Sequence, residues 1–232
     1  MHRFTSIPAL YGDTGWQTIH DSQKIDIIRL WNRLVTMPDY RLPKKVFIAD
    51  LSEKTGWCSD VKTILDELEL IDHYEDKRPI DLLVIKSKLH AIQTTKWNTD
   101  ILLQKKLRTY ISFKHEFGTE LYLKCSLSRS ERSLMAQLRT GILPLAIETG
   151  RFTQPKTPVH LRLCKVCNDN TIEDEQHFIF DCHAYKERRS LFLHQTGPVN
   201  FDDIFSNRHH IKHFAKFLQD IFYIRKTHIY KC

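Results

Sequence analysis

Cys164-Lys165-Val166-Cys167, His177 and Cys182 are the residues of this chain whose types and spacing point most directly to chemistry. Two, nine and four residues separate the successive ligand candidates. A tetrahedral zinc ion prefers thiolate sulfur and imidazole nitrogen, and three cysteines with one histidine fill its four positions. Cysteines two residues apart grip one side of an ion from a tight turn, and His177 with Cys182 supplies the other. A shell filled by protein leaves no place for water or substrate, so one Zn2+ with a structural role is expected. Unmetallated free thiols and a redox pair are the rival readings. A redox pair wants a βαβ pattern beside it, and none surrounds Cys164. His160 and His183 compete with His177 as ligand, and His177 has the better spacing. Cys58, Cys125 and Cys232 have no partner at metal-binding spacing and are expected to be free.

The charge around this cluster is uneven. Between Cys164 and Cys182 stand one base, Lys165, and five acids: Asp169, Glu173, Asp174, Glu175 and Asp181. Three thiolates on Zn2+ add one further negative charge, so this surface is expected to repel phosphate. The acids at 173–175 suit a helix N-terminus. Bases flank the cluster at Lys156, Arg162, Lys186, Arg188 and Arg189. The metal is read as a staple that fixes those flanks rather than as the phosphate contact. Lys105, Lys106, Arg108 and Lys114 interleave with Tyr110 and Phe113, the composition of a phosphate-tracking face with stacking side chains; the same pattern also suits a solvated helix face over a core stripe. Arg129, Arg132 and Arg139 share one predicted helix. The candidate nucleic-acid contacts are therefore Lys105, Lys106, Arg108, Lys114, Arg129, Arg132, Arg139, Arg162, Arg188 and Arg189.

No catalytic constellation stands out. No nucleophile–base pair is evident, and the adjacent acids Asp202-Asp203 are expected to cap a helix. His209 and His213 lie one turn apart with no cysteine or acid nearby to complete a second metal shell, and read as a solvated face. Trp16, Trp31, Trp57 and Trp97 are expected in the core.

The elements that must position these residues read as mainly helical. The chain has 232 residues, 41% hydrophobic and 11% aromatic, which excludes wholesale disorder. Only 7 glycines weigh against a turn-rich sandwich or barrel. The longest apolar run is Ile142 to Ile147, far short of the ~20 residues of a membrane span. No secretory signal is evident, so cytosol or nucleus is expected, where clustered cysteines more often hold metal than form disulfides. The net charge of +7 suggests an anionic partner. Residues 50–81 carry ten acids against four bases, whereas 86–140 and 205–232 are strongly basic. Apolar periodicity predicts a helix through Ile25–Val35 behind Asp21 or Ser22, and one behind Ser59 through Leu68. Further helices are predicted over 97–117, stopped by Gly118, from Ser128 or Ser130 to Gly141, and over 207–227. The expected organisation is a helical, bundle-like region over 1–155, a small metal module over 156–190 behind Pro155 and Pro158, and a C-terminal amphipathic helix within 191–232.

The run Ser133-Leu134-Met135-Ala136-Gln137-Leu138-Arg139-Thr140-Gly141-Ile142-Leu143-Pro144-Leu145 continues into Ile147-Glu148-Thr149-Gly150-Arg151-Phe152. With Ile172-Glu173-Asp174-Glu175-Gln176-His177-Phe178 leading to Cys182, it resembles the region downstream of the polymerase in LINE-type non-LTR retrotransposon reverse transcriptases. Arg29-Leu30-Trp31-Asn32-Arg33-Leu34, Lys106-Leu107-Arg108-Thr109-Tyr110 and Gly12-Asp13-Thr14-Gly15-Trp16 extend the resemblance over nearly the whole chain. It implies a zinc module with Cys164, Cys167, His177 and Cys182 as ligands, in a segment that holds RNA template and target DNA during target-primed reverse transcription. It also implies an upstream polymerase domain as partner. The aromatic-x-Asp-Asp turn of a polymerase palm has no counterpart here: Asn200 stands where the aromatic belongs, and Asp202-Asp203 follows the zinc module instead of preceding it. The expected role is non-catalytic. An endonuclease of the parent protein would lie upstream, and Met1 would correspond to an internal position of a longer polyprotein. The rival expectations are a zinc-stabilised scaffold for protein partners, docking through its acidic faces, and a hydrolase.

Overall fold

The computed structural model describes residues 6–53 and 56–229. Cys232, expected as a free thiol, lies outside them. The chain is mainly α-helical. Among the described residues there is no β-strand, only an isolated antiparallel bridge between Leu163 and Ile172. No helix among them is long and apolar enough to cross a membrane.

The chain divides into two compact units, Met1–Trp16 with Trp97–Cys232, and Gln17–Lys96. The smaller unit is thus inserted into the larger one. The breaks expected near 155 and 190 fall inside the larger unit, where the cysteine cluster shares a core with the helices around it. Pro155 and Pro158 therefore mark a surface turn rather than a boundary.

Helix α1 (Ile7–Thr14) opens the larger unit. The inserted unit holds α2 (Ile19–Val35), α3 (Leu42–Glu53), α4 (Gly56–Glu67), α5 (Ile71–Glu75) and the first part of α6 (Leu82–Leu102). In α2, Ile25, Ile28, Trp31 and Leu34 are buried at the expected helical spacing. Its cap is Thr18, whose hydroxyl accepts from the Asp21 amide at 3.0 Å, so Asp21 sits inside the first turn. Trp31 stacks on Tyr74 at 5.2 Å and meets the edge of Phe47 at 5.4 Å. Asn32 closes the unit by donating to the Ile80 carbonyl and accepting from its amide. Helix α4 starts at Gly56, one turn before the expected Ser59.

The larger unit continues with α7 (Tyr110–Phe113), α8 (Arg129–Arg139), α9 (Ala146–Thr149), α10 (Lys186–Thr196), α11 (Phe201–Ser206) and α12 (Arg208–Ile229). The single helix expected over 97–117 is instead the end of α6, a tight turn at Lys105–Leu107 and the short α7. On one straight helix Ile101 and Leu107 would lie about 120° apart. Breaking the helix lets both reach the same core with Tyr110, Phe113 and Phe117. Helix α8 begins with a reciprocal cap between Ser128 and Glu131 and stops before Gly141. Gly141 has φ 63°, and a Cβ there would lie 2.1 Å from the Lys106 carbonyl. The acids Asp202-Asp203 open α11, with Asn200 and Asp203 capping reciprocally. Helix α12 lies within two residues of its expected ends and buries Ile211, Phe214, Leu218, Ile221 and Phe222.

A buried charge network fixes α1 to the rest of the larger unit. Arg139, fully buried, donates to both Asp13 oxygens at 3.0 and 3.1 Å and contacts Glu120 at 2.9 Å. Its guanidinium lies 4.4 Å from the Phe205 ring centre and 4.6 Å from that of Phe113. Burial opposes the Arg139 charge, and Asp13 and Glu120 more than offset it, so its pKa is raised. Tyr122 donates to Asp13 at 3.0 Å, and burial pushes its phenol well up. Gly12 packs so closely that a Cβ would lie 2.4 Å from Trp97 Nε1. Trp31 and Trp97 are buried and Trp57 half-buried as part of the core, whereas Trp16 is 64% exposed.

Candidate metal centre

The Leu163–Ile172 bridge folds the first cysteine pair into a knuckle. The Cys164 amide donates to the Thr171 carbonyl at 2.8 Å, and the Glu173 amide to the Arg162 carbonyl at 2.9 Å. The reversal between them runs through Asn168 and Asn170, both at positive φ (59° and 53°), a conformation asparagine tolerates better than most side chains. The second pair comes from a single wide turn over His177–Asp181, closed by the Cys182 amide on the His177 carbonyl at 2.8 Å. Its i to i+5 hydrogen bond brings His177 and Cys182 toward one side, which a regular α-turn would not. Asp174 starts that turn by accepting from the His177 amide.

All four side chains are buried, and their ligand atoms lie within 4.8 Å of one another. Cys167 Sγ and His177 Nε2 are 3.5 Å apart. Backbone amides point at each sulfur: those of Cys167 and Val166 at Cys164, that of Asp169 at Cys167, and that of Ala184 at Cys182. Amides aimed at sulfur favour the thiolate. The Cys164 thiol is lowered, chiefly by the hydrogen bond from Cys182, while Cys182 is raised by that same bond and by burial. The donor set is therefore able to hold a metal ion. His183 is excluded from it; exposed, it pairs with Asp169 at 2.6 Å beside Cys167. His160 sits exposed in the turn Val159–Leu161. Cys58 and Cys125 are buried and free, and burial with the Asp50 contact pushes Cys58 up to about 12.

Two of the five acids of the module are withdrawn from the phosphate-repelling surface expected of them, whereas Asp169 and Asp181 stay exposed. Glu173 and Glu175 are each 1% exposed. Glu173 receives a two-point contact from Arg225 on α12, at 2.7 and 2.8 Å, and the Ala146 amide of α9. Glu175 receives Arg108 at 2.6 and 2.8 Å, together with Thr109. Burial raises the Glu175 pKa against the pull of Arg108. These pairs bolt the knuckle to elements more than fifty residues away in sequence.

The same contacts redistribute the candidate phosphate ligands. Arg108 is committed to Glu175, Arg139 to Asp13, and the buried Lys114 to Glu120 and the Gly118 carbonyl. Arg162 donates to the Ile147 and Thr157 carbonyls, and Arg189 to those of Ile179 and Cys182, so both brace the backbone around the cluster. Lys106 is half-buried. Lys105, Arg129, Arg132 and Arg188 project into solvent. Arg132 and Arg139, seven residues apart, part company because the last turn of α8 enters the core and the first does not.

The sequence places basic charge in the last helix without singling out its residues, and the structure arranges part of it as a regular surface. On α12, Lys212, Lys216, Gln219, Tyr223 and Lys226 are all exposed, at steps of four, three, four and three residues. They form one stripe about 21 Å long. Gln219 donates to Ser130 at 3.3 Å, so the stripe runs beside the first turn of α8 that carries Arg129 and Arg132. The signal was present as the polar complement of the apolar period. Arg225, within the same basic stretch, is buried on Glu173. His209 and His213 lie at the start of α12 with ring centres 4.4 Å apart, and burial lowers the His213 pKa.

Fold and site together define a helical protein with a buried three-cysteine, one-histidine cluster suited to a metal ion. No protein family, curated protein or solved structure matches the chain.

Proposed function

We propose that the chain is a non-catalytic, zinc-stapled, nucleic-acid-binding segment of the LINE-type reverse transcriptase class, holding RNA template or target DNA beside a polymerase domain. The lysine–tyrosine stripe on α12 is the observation that carries the binding reading: bases at phosphate-reaching intervals with an exposed ring, Tyr223, among them. Zinc is the ion of choice because Zn–S of about 2.3 Å and Zn–N of about 2.0–2.1 Å put sulfur and nitrogen of a tetrahedral shell about 3.6 Å apart. The 3.5 Å between Cys167 Sγ and His177 Nε2 fits that spacing. Bound there, zinc supplies no reaction chemistry; it closes the knuckle.

The test is binding of labelled single-stranded RNA over a salt series. Replacing Lys212, Lys216 and Lys226 by Glu should weaken binding across sequences and flatten the slope of log K against log salt by about 2, at roughly 0.7 per phosphate contact. Unchanged affinity and slope would overturn the reading. Reversing Lys105, Lys106 and Arg108 is a poorer test, since Arg108 holds the buried Glu175.

A protein-docking scaffold is the second reading, favoured by α3. That helix buries only Phe47 and exposes Leu42 (73%) and Val46 (61%), with Tyr40 (80%) just before it. A scaffold would show little nucleic-acid binding at any salt.

A further inference from the structure

Resting on the nucleic-acid reading above, we propose that the cleft between α1 and α8 is a nucleotide pocket that takes one unstacked base and its phosphate from a single strand. The cleft has a volume of about 420 Å³, within the roughly 300–1,000 Å³ that small-molecule sites occupy. Its two ends differ in chemistry. At the mouth stand Arg129 and Arg132, both exposed. Arg129 makes no ion pair among the described residues, and Arg132 spends one nitrogen on the Leu127 carbonyl and meets no carboxylate. The acid of that turn, Glu131, is turned back onto the Ser128 amide. The mouth is therefore a pair of guanidiniums without a counter-charge, a planar donor set matched to phosphate.

Leu10, Leu123 and Ile142 give the interior apolar walls, and the polar atoms of the buried Tyr122 and Thr140 that also line it are already hydrogen-bonded within the protein. Asp13 also reaches the cleft, but Arg139 neutralises it with two hydrogen bonds, so it presents no net repulsion to an anion. Gln137 and Ser133 line one side; Gln137 donates one amide hydrogen to Ser133, leaving its other hydrogen and its oxygen for a base edge. A phosphate at the mouth, a flat heterocycle against an apolar wall and an amide beside it describe a nucleotide better than a simple anion, which would gain nothing from the walls. A base paired in a duplex cannot enter, so the pocket favours single strands. It lies on α8, one turn of which touches the basic stripe of α12 through Ser130, so one strand can track the lysines and end in the cleft.

The experiment measures binding of a short adenosine-only RNA strand, of the same strand paired with uridine RNA, and of adenosine monophosphate as competitor, to the full chain. The wild type should prefer strand over duplex at least tenfold, and adenosine monophosphate should compete with the strand. Ser133→Trp, at an exposed position, should fill the cleft, abolish the preference and the competition, and leave the salt slope unchanged. Should that variant fail to fold, the surface double variant Arg129→Gln/Arg132→Gln should remove the preference and lower the slope by about 1.4. A folded Ser133→Trp protein that keeps the preference overturns the pocket and leaves the α12 reading standing. Absence of binding to strand, duplex and mononucleotide alike overturns both.

Discussion

Stripping the metal should unfold the larger unit and spare the inserted one. Cys164, Cys167 and Cys182 sit in the same buried cluster as residues of α1, α8, α10 and α12, and two buried arginine–glutamate pairs tie the knuckle to that cluster. Structural zinc contributes about 10–16 kcal/mol to such modules at neutral pH. That matches or exceeds the ~5–15 kcal/mol by which whole domains are stable. Ile25, Ile28, Trp31, Val61, Leu65, Ile85 and Leu89 form a separate core within the inserted unit. The helices of the two units are of similar total length, so Cys167→Ser, or a strong chelator, should remove about half of the helical ellipticity. The remaining half should melt as one cooperative transition. The assay is circular dichroism beside metal analysis by mass spectrometry, with one zinc per wild-type chain and none in the variant. A loss confined to 160–190, which holds only the start of α10, would leave nearly all of the helical signal. That outcome would show that the larger core stands without its metal and would refute the reasoning. Complete loss would refute the independence of the inserted unit.

Other outcomes are expected from the same contacts. Asp13→Ala leaves Arg139 buried without its main counter-charge and should lower stability by about 3–5 kcal/mol, read as a fall in the melting transition of the larger unit; a change under ~1 kcal/mol would contradict the network. Gly12→Ala drives a methyl into Trp97 and should cost about 1–3 kcal/mol in the same assay. Replacing Gln17–Lys96 by a flexible glycine–serine linker should leave a folded protein that still binds one zinc; a zinc-free, unfolded product would contradict the insertion. Purified chain should show no magnesium-dependent primer extension, and extension by homogeneous protein would overturn the non-catalytic assignment.

The cysteine–histidine cluster was legible in the sequence because its spacing is local: two cysteines in one turn and a histidine–cysteine pair in the next. The helices behind Thr18 and Ser128, and α12, were legible because their apolar periods are long and uninterrupted. The fates of charged residues were not. Arg108 and Glu175 are 67 residues apart, and Arg225 and Glu173 are 52 apart. Nothing in either neighbourhood distinguishes an arginine that will be buried from one that will meet solvent. The insertion was hidden for the same reason: the contacts of α1 with Tyr110, Tyr122 and Arg139 span more than a hundred residues. The break after α6 was hidden because Ile101, Leu107 and Tyr110 look periodic in one dimension, while only the tertiary core shows that they must converge.

That insertion sets an order of events on the ribosome. Asp13 is made 126 residues before Arg139. At ~5–20 residues per second, it waits about 6–25 s for its counter-charge. In that interval Gln17–Lys96 is complete and free to close its own core, whereas the face of α1 around Ala9 and Gly12 has nothing yet to cover it. The guest is therefore able to mature before its host, while the face of α1 that Arg139, Tyr110 and Tyr122 later cover waits for them to be made.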